Sequence, residues 1–437
     1  MGTALVTDLY ELNMAASYLR RGMVEPATFS LFARRLPPGR GFLVAAGLED
    51  CLAYLESFRF EPDELEWLGG AGFDADTVQA LAQLRFTGDV WAIPEGRVVL
   101  ADEPLLEVTA PLPEAQLVES YLLNQVTYQT AIATKAARCR LAAGDIELVD
   151  FALRRTHGTE AAMAVARSSA IAGFVATSNV EAARRYGLRP SGTMAHSYVE
   201  AFATEADAFR AFAQDRPGQV TFLVDTYDSL AGIDTAIAVI RELDLPGPLG
   251  IRLDSGDLAD LAHQARRRLD AAGMAHVRIF VSGGLDEFDL AHLVASGAPV
   301  DAAGVGTRMG VSADAPYLDT AYKLVAVADR PVCKLSPGKA TLPGAKQVWR
   351  RLPVEHDVLG LREEPVPDGY EPLLVPVMRG GRRTAAPPTA SDAIAAAAAR
   401  LRRDLDGLPA RARALQGVPP PVHHSPALRD LAASFTR

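Results

Sequence analysis

The chain has few of the residues that mark several large classes of protein. Cysteine occurs only three times in 437 residues, at Cys51, Cys139 and Cys333. Three widely separated cysteines fit neither a disulfide framework nor a zinc motif, so we expect buried thiols. No uninterrupted apolar run reaches the roughly 18 to 20 residues that span a bilayer, and the first residues lack the features of a signal peptide. These absences predict a cytoplasmic protein without a membrane partner.

Positively charged side chains are also scarce. The chain has 44 lysine and arginine residues against 54 aspartate and glutamate residues, which gives a formal net charge of -10. An acidic protein does not attract nucleic acid as a whole, so we expect no such partner. Any site for anionic substrates must be basic locally, and arginine must supply that charge. Lysine occurs only at Lys135, Lys323, Lys334, Lys339 and Lys346.

The composition is otherwise that of a globular protein, with 49% hydrophobic and 22% charged residues and enough length to bury a large core. Apolar spacing predicts a helix over Asp8–Arg20, with Thr7 as its N-cap and Tyr10 in its first turn. Extended segments at Thr28–Ala33 and Val90–Val108 predict antiparallel strands. Residues 1–143 are therefore predicted to form a mixed α/β domain with a connecting helix.

A different pattern begins at Asp145, where short apolar runs alternate with helical segments. The runs are Glu147–Phe151, Gly173–Ala176, Val220–Val224, Leu249–Leu253, Val277–Val281 and Ala302–Val305. This alternation predicts a parallel sheet with covered faces. Polar or glycine residues follow every run. This recurrence favours a (β/α) barrel, in which all strand ends surround one mouth, over a doubly wound sheet, in which ligands bind at one switch point between strands.

The predicted fold class is therefore α/β, with an irregular (β/α) barrel at 144–327 and an additional mixed α/β domain built from the N-terminal and C-terminal segments. Residues 328–437 are predicted to pack back on the first domain. Their tail, from Gly407 onward, is predicted to be partly flexible because it is rich in proline. His423 and His424 are adjacent there, and a metal-binding tail is an alternative that lacks further ligands.

Two glycine clusters close consecutive predicted strands, Ser282–Gly284 and Gly304–Thr307. Their amides can approach an oxyanion because no Cβ obstructs them, and late strand ends often bind phosphate in barrels. Either cluster alone is equally well explained as a tight turn. Together they predict a phosphate cradle.

Carboxylates follow neighbouring strands at Asp225, Asp254 and Asp257. Such groups beside a phosphate site bind Mg²⁺ or sugar hydroxyls. Asp257 has the alternative role of capping the helix predicted at Leu258–Leu269. Because strand side chains alternate, Arg252 and Asp254 are predicted to point to the same side.

Arginine and histidine complete the predicted site. Arg154, Arg155 and Arg252 suit an anionic substrate pair, although a surface salt bridge is the alternative for either of the first two, and one of them is predicted to face outward. His196 lies in a turn of small residues. A lone histidine is usually structural, but this turn leaves the imidazole open to a nucleophilic role.

Five segments occur in the order of the motifs of one enzyme family. They are Thr7–Met14, Gly192–His196, Ile251–Asp257, Val281–Leu285 and Gly304–Thr307. With these segments the chain resembles the nicotinate phosphoribosyltransferases over most of its length. The resemblance implies transfer of the phosphoribosyl group of 5-phosphoribosyl 1-diphosphate to nicotinate, giving nicotinate mononucleotide and diphosphate in NAD salvage. It also implies Mg²⁺, and ATP as a co-substrate that phosphorylates His196.

The resemblance further implies roles for single residues. Tyr10, from the neighbouring subunit of a head-to-tail homodimer, and Phe151 are expected to enclose the nicotinate ring. Thr193 and Arg252 match nicotinate-binding positions, and the arginine is expected to meet the carboxylate.

The remaining implied roles concern phosphate, ribose and metal. The phosphoribosyl phosphate is expected at Ser282, Gly283, Gly304, Gly306 and Thr307. Diphosphate, metal or ribose is expected at Arg154, Asp225 and Asp254.

The chain departs from the family pattern beside Phe151. Ala152 stands where a glycine is expected, and Thr156-His157 stands where the family often has Ala-Gln. A methyl group at position 152 is expected to press on the ring pocket. The open alternatives are a nicotinamide or quinolinate phosphoribosyltransferase, against the second of which His196 argues, and another phosphate-binding barrel enzyme.

Overall fold

The computed structural model describes residues 4–216, 218–328, 330–336 and 341–435. These residues fall into two compact units. The first comprises the described residues of Met1–Thr134 and Tyr317–Arg437, and the second comprises those of Lys135–Pro316.

The elements that begin before residue 135 are α1 (Leu9–Arg20), β1 (Pro26–Ala33), β2 (Leu43–Val44), α2 (Leu48–Ser57), α3 (Pro62–Gly70), α4 (Ala75–Gln83), β3 (Asp89–Ala92), β4 (Val98–Val99), β5 (Pro104–Pro111), α5 (Leu112–Leu117) and α6 (Glu119–Ala142). The next elements are β6 (Glu147–Asp150), a 3-10 turn (Leu153–Arg155), α7 (Thr159–Ile171), β7 (Ala176–Thr177), α8 (Val180–Tyr186), α9 (His196–Glu200), α10 (Glu205–Asp215), β8 (Val220–Leu223), α11 (Ser229–Glu242), β9 (Leu249–Leu253), α12 (Leu258–Ala271), β10 (Arg278–Val281), α13 (Glu287–Ala295), β11 (Ala302–Val305) and α14 (Thr307–Gly310). The last are β12 (Thr320–Val327), β13 (Arg330–Pro331), β14 (Lys346–Arg350), β15 (Asp357–Leu361), β16 (Glu371–Pro372), β17 (Val375–Arg379), β18 (Arg382–Arg383), α15 (Ala390–Gly407), α16 (Ala410–Arg413), β19 (Val422–His424) and α17 (Pro426–Ser434).

The first unit is built on two main sheets, largely antiparallel, that combine both ends of the chain. Its larger sheet has the order β13-β12-β1-β5-β3-β17-β18, and its second main sheet has the order β16-β14-β15-β19. In the first of these, β1 pairs antiparallel with both β12 and β5. The core contains Leu12, Phe29, Leu106 and Tyr322, all nearly inaccessible to solvent. Apolar side chains from distant segments thus form one core.

The tail carries more regular structure than its sequence predicts. β19 pairs in parallel with β15, and α17 follows with Ser425 as its N-cap. Local composition does not show this pairing, because the partner strand lies about 65 residues earlier in the chain. Within the described part of the chain, no group of three or more histidine, cysteine or carboxylate residues is placed to hold a metal ion.

The second unit has a mixed α/β fold with a parallel half-barrel sheet. The strand order is β7-β6-β11-β10-β9-β8, and the pairs are parallel. The first strand of the unit, β6, therefore pairs with the last, β11. All six predicted runs contribute a strand to this sheet, and β9 and β11 have the predicted bounds.

One strand lies later than predicted. β7 begins at Ala176, whereas the apolar run predicts Gly173–Ala176. Gly173 has a φ of +98° and Phe174 donates its N–H to the Ser169 carbonyl, so these residues close α7 before the chain becomes extended.

Two smaller predictions have different outcomes. Cys51 and Cys139 are buried free thiols as predicted, while Cys333 is only half-buried. The prediction that Thr7 caps α1 is wrong: Asp8 holds the N-cap position, and the Thr7 hydroxyl donates instead to the Leu117 carbonyl at 3.2 Å. No helix among the described residues is both long and apolar enough to cross a membrane.

Candidate active site

Arg252, near the end of β9, is the centre of a polar cluster in the second unit. Its Nε donates to Ser282 Oγ at 2.7 Å, its Nη1 to Thr193 Oγ1 at 3.2 Å and its Nη2 to Asp254 Oδ1 at 2.6 Å. The contact with Asp254 confirms that the two side chains share one side of the strand. Side chains from β9, the end of β10 and the loop before α9 thus meet at one guanidinium group.

Asp254 is held as a carboxylate. It pairs with Arg252 and accepts a hydrogen bond from the Ser282 hydroxyl. Burial opposes ionisation, but the Ser282 hydroxyl and the Arg252 charge outweigh it and lower the pKa of Asp254. The group is therefore a stable negative charge at neutral pH.

His196 begins α9 and faces the same carboxylate. Its Nδ1 lies 3.2 Å from Thr226 Oγ1, and its Nε2 lies 3.9 Å from Asp254 Oδ2. The side chain is 41% exposed, so the ring is oriented from both sides and still open to a ligand. Sequence reasoning missed Thr226, whose only signal was its position directly after Asp225 at a strand end.

Asp225 follows β8 and supports the backbone of the cluster. Its Oδ2 accepts the Asp254 N–H at 2.9 Å and the Ser255 hydroxyl at 2.7 Å. Among the described residues, its buried Oδ1 has no hydrogen-bond partner. Glu205, which sequence reasoning also missed, lies near enough that burial and the charge of Asp225 raise its pKa. An unpartnered carboxylate oxygen in an acidic setting suits a cation.

Phe151 lies between the arginine and the two glycines at the end of β11, Gly304 and Gly306. Its ring centroid is 5.5 Å from the Arg252 guanidinium carbon and 5.5 Å from the ring of Phe280. A Cβ at Gly304 would lie 2.6 Å from Phe151 Cδ2, and one at Gly306 would lie 2.8 Å from the Phe151 carbonyl oxygen. These glycines therefore make room for Phe151, a packing role that the sequence did not reveal.

Ser282 and Gly283 bring β10 close to the cluster. Gly283 has a φ of +114°, and a Cβ there would lie 2.2 Å from the Asp254 carbonyl oxygen. Only glycine fits this position, because both the backbone conformation and the close approach exclude a side chain.

Ala152 follows Phe151 and contacts α14. Ala152 is fully buried, and its Cβ lies 2.5 Å from where a Cβ at Gly310 would be. The methyl group thus packs on α14, where Gly310 leaves space for it.

Several predicted site residues lie outside the cluster. Arg154 and Arg155 form an exposed 3-10 turn, and in the described residues no hydrogen bond or ion pair joins Arg154 to Arg252 or Asp254. Thr307 is the exposed first residue of α14. Tyr10 belongs to the first unit, where its side chain is half-exposed.

Asp257 takes its alternative role. Its Oδ1 accepts the Asp260 N–H at 3.1 Å, so it is the N-cap of α12. The three predicted carboxylates therefore do not form one group. Asp225 and Asp254 are in contact, whereas Asp257 caps α12.

Comparisons with known proteins agree on one family. The N-terminal domain model of nicotinate phosphoribosyltransferase matches residues 5–127, and the model of the nicotinate phosphoribosyltransferase family matches residues 146–341. A nicotinate phosphoribosyltransferase of Mycobacterium tuberculosis (pncB2) is 47% identical over 94% of this chain and 89% of its own length. The nicotinate phosphoribosyltransferase of Bacillus subtilis is 44% identical over 84% of this chain and 77% of its own length.

Solved structures show the same fold. Human nicotinic acid phosphoribosyltransferase superposes with a TM-score of 0.87 at 30% identity and covers 98% of this chain and 99% of its own. A nicotinate-nucleotide pyrophosphorylase of Pyrococcus furiosus superposes with a TM-score of 0.76 at 25% identity, over 92% of this chain and 96% of its own.

Proposed function

Because the chain belongs to the nicotinate phosphoribosyltransferase family, we propose that its Arg252 cluster is the site at which phosphoribosyl is transferred to nicotinate. The products are nicotinate mononucleotide and diphosphate, and the reaction serves NAD salvage. The observation that supports this site best is the joining of Arg252, Asp254, Ser282, Thr193 and His196 by direct contacts beside an aromatic ring.

In the proposed mechanism, Phe151 supports the flat face of the nicotinate ring while Arg252 and Thr193 bind its carboxylate. The bond from the anomeric carbon to diphosphate breaks as the ring nitrogen supplies its lone pair to that carbon. No base is needed, since the nitrogen carries no proton to lose. Positioning and the charge placed on the leaving diphosphate supply the catalysis.

The phosphoribosyl phosphate is assigned to Ser282, Gly283, Gly304, Gly306 and Thr307. Arg154 is the exposed cation assigned to diphosphate. Mg²⁺ fits Asp225, whose Oδ1 is buried without a hydrogen-bond partner in the described residues, and it usually needs only one or two protein carboxylates beside phosphate oxygens. When bound it would neutralise charge on the diphosphate, and Asp254 would hold ribose or metal.

His196 is the residue that would react with ATP. A ring nitrogen would attack the terminal phosphorus of ATP, so that a P–N bond forms as the P–O bond to ADP breaks. The ring is oriented by Thr226 and half-exposed, which suits this attack. Phosphorylation would add negative charge beside the strand ends and order nearby loops.

We further propose an irregular (β/α) barrel, a homodimer with shared sites and a cytoplasmic location. The pairing of β6 with β11 supports the barrel, since it joins the first and last strands of the unit. Half-exposed Tyr10 supports sharing of the site, because its ring is available to a second subunit. The free thiols of Cys51 and Cys139 are typical of a reducing compartment.

Nicotinamide is a second candidate substrate for a specific reason. Asp254 already pairs with Arg252 at 2.6 Å, so part of the positive charge that would select an acid over an amide is neutralised. Quinolinate fits the cluster less well, because it has two carboxylates and Arg252 is already paired with Asp254.

The test is release of diphosphate from 5-phosphoribosyl 1-diphosphate with nicotinate, nicotinamide or quinolinate, each with and without ATP. We expect release with nicotinate, faster with ATP. Incubation with labelled ATP should place acid-labile phosphate on the protein, and His196→Ala should abolish it whereas His263→Ala should not. Activity with nicotinamide alone would refute the substrate, and an unlabelled wild-type protein would refute the ATP step.

A further inference from the structure

The helix that carries Tyr10 rests on an unusual buried carboxyl group. Glu11 lies on the inner side of α1 and is 0% exposed. Its Oε1 lies 3.3 Å from Ser120 Oγ, and its buried Oε2 has no hydrogen-bond partner among the described residues. A charged carboxylate in this position would keep one buried oxygen without a hydrogen bond, which is unfavourable.

The Ser120 hydroxyl is shared between two carboxyl groups, Asp8 and Glu11. Its Oγ lies 2.8 Å from Asp8 Oδ2 and also accepts the Asp8 N–H at 3.2 Å. A hydroxyl has one hydrogen, and the shorter contact gives that hydrogen to Asp8. The hydroxyl donates to Glu11 only in the longer, 3.3 Å contact, whereas a protonated Glu11 carboxyl can donate to the Ser120 oxygen while Ser120 donates to Asp8.

The Tyr10 hydroxyl hydrogen-bonds Glu11 and favours its charged form, but no cation contacts Glu11 in the described residues. Glu119 at the start of α6 is a second buried carboxylate, and Lys323 lies 3.8 Å from Glu119 rather than contacting Glu11. The groups that face Glu11 from its own helix and from α2, α6 and β12 are Asp8, Tyr10, Tyr54, Glu119, Tyr322 and Lys323. α4 also packs on α1, where Asp74 pairs with Arg20 at the far end of the helix.

We infer that Glu11 is a positioning residue that docks α1 on the start of α6 as a neutral carboxyl, and that the placement of Tyr10 depends on its protonation. This rests on the proposed function, since it takes Tyr10 to be the residue that contacts the nicotinate ring. The chemistry is a switch: a proton on Glu11 supplies the hydrogen bond to Ser120, and its loss leaves two buried carboxylates, Glu11 and Glu119, facing each other.

The electrostatics agree with the geometry. Burial, and then the charge of Glu119, outweigh the hydrogen bonds from Tyr10 and Ser120 and raise the pKa of Glu11 from 4.5 to about 7. A carboxyl whose pKa is higher in the folded than in the unfolded state favours folding below the unfolded value, and this preference is lost as the pH rises to the folded value. Docking of α1 is therefore expected to weaken between about pH 4.5 and 7 and to stay weak above that.

The first experiment is hydrogen exchange of the amides of residues 9–20 without substrate, at pH 6 and pH 8, in wild type, Glu11→Gln and Glu11→Ala. Comparing variants at one pH removes the intrinsic pH dependence of exchange. We expect Glu11→Gln to protect α1 more than wild type at pH 8 and equally at pH 6. Glu11→Ala, which lacks the Ser120 contact, should exchange faster at both. Glu66→Gln, an exposed position on α3, is the matched control and should behave as wild type.

The second experiment measures KM and kcat for nicotinate in the same proteins. A group with a pKa of about 7 goes from about nine-tenths to about one-tenth protonated between pH 6 and 8. The wild-type KM should therefore rise up to about tenfold relative to that of Glu11→Gln, with kcat little changed.

The outcomes distinguish failure of the inference about Glu11 from failure of the proposed function. Equal protection of α1 in wild type and Glu11→Gln at pH 8 would overturn the inference whatever the activity. A difference in exchange without a difference in KM would overturn the link to Tyr10. Absence of nicotinate-dependent turnover in every protein would refute the proposed function, while the exchange data would still decide how Glu11 docks the helix.

Discussion

Two clusters of charged side chains, one in each unit, differ in how far solvent reaches their members. In the first unit, Arg350 is fully buried and contacts Asp357, Asp404 and the Val98 carbonyl. In the second, Arg252 is similarly paired, but Asp254 is 25% and His196 is 41% exposed. A fully buried cluster offers no group to a ligand, whereas the open one keeps reactive groups accessible.

The same contrast appears in the carboxyl groups. Glu103, beside Arg350, has its pKa raised well above the usual range because burial and the charge of Asp357 outweigh the arginine. Asp254 has its pKa lowered, since Ser282 and Arg252 outweigh partial burial. Burial therefore dominates the pKa of Glu103 in the closed cluster, whereas hydrogen bonding and the arginine charge dominate the pKa of Asp254 in the open one.

Arg350→Met tests whether the closed cluster is purely structural. Removing the cation leaves Asp357 buried without its arginine and Asp404 paired with Arg97 alone, and losing one member of a buried ion pair costs about 3–5 kcal/mol. We expect a loss of that size in the free energy of unfolding, measured by urea denaturation. Turnover per folded molecule should not change. The exposed Arg402→Met is the control, and equal stability of the two variants would show that the cluster contributes nothing.

Arg252→Ala makes the opposite prediction for the open cluster. Removing a group that stabilises charge in the reaction typically lowers the rate by about 10²–10³, or roughly 2.7–4 kcal/mol. We expect kcat/KM for nicotinate to fall by that factor. Asp254 remains partly solvated, so the midpoint of unfolding should move far less than with Arg350→Met. A loss of stability as large as that of Arg350→Met, with activity retained, would reverse the assignment of the two clusters.

The sequence predicted the open region better than the closed one. Apolar runs such as Leu249–Leu253 and Ala302–Val305 became strands with the predicted bounds, because a strand buried on both faces needs continuous apolar residues. Alternation within a strand then placed Arg252 and Asp254 together. These are local rules, so a single sequence suffices to apply them.

What the sequence did not reveal depends on distant contacts. Arg350 meets Asp404 across 54 positions, and no local pattern marks that pair. Thr226 became visible as the partner of His196 only when α9 was placed beside β8. Likewise, the role of Gly304 is set by the ring of Phe151, which lies on a different strand end.

Gly304→Ala tests whether close packing against Phe151 shapes the open cluster. Its Cβ would lie 2.6 Å from Phe151 Cδ2 and 3.1 Å from Phe280 Cε1, and overpacking of this kind costs about 1–3 kcal/mol. We expect that loss of stability together with a higher KM for nicotinate as the ring shifts. In a Phe151→Leu background the cost to stability should shrink, and additive losses would exclude the contact as the cause.

Substitutions of Asp257, at the edge of the open cluster, are expected to have the smallest effect on stability and activity. Asn is as good an N-cap as Asp, whereas loss of the cap to Ala costs about 0.5–2 kcal/mol. Since the Asp257 Oδ1 accepts the Asp260 N–H, we expect Asp257→Asn to keep both stability and kcat, and Asp257→Ala to lose about 1 kcal/mol of stability at unchanged kcat. Asp228→Ala, at the N-cap of α11, provides a matched comparison for the stability loss. If Asp257→Asn instead lowered activity and raised the Mg²⁺ concentration needed for half-maximal rate, Asp257 would belong to the metal site, and the open cluster would extend to all three carboxylates.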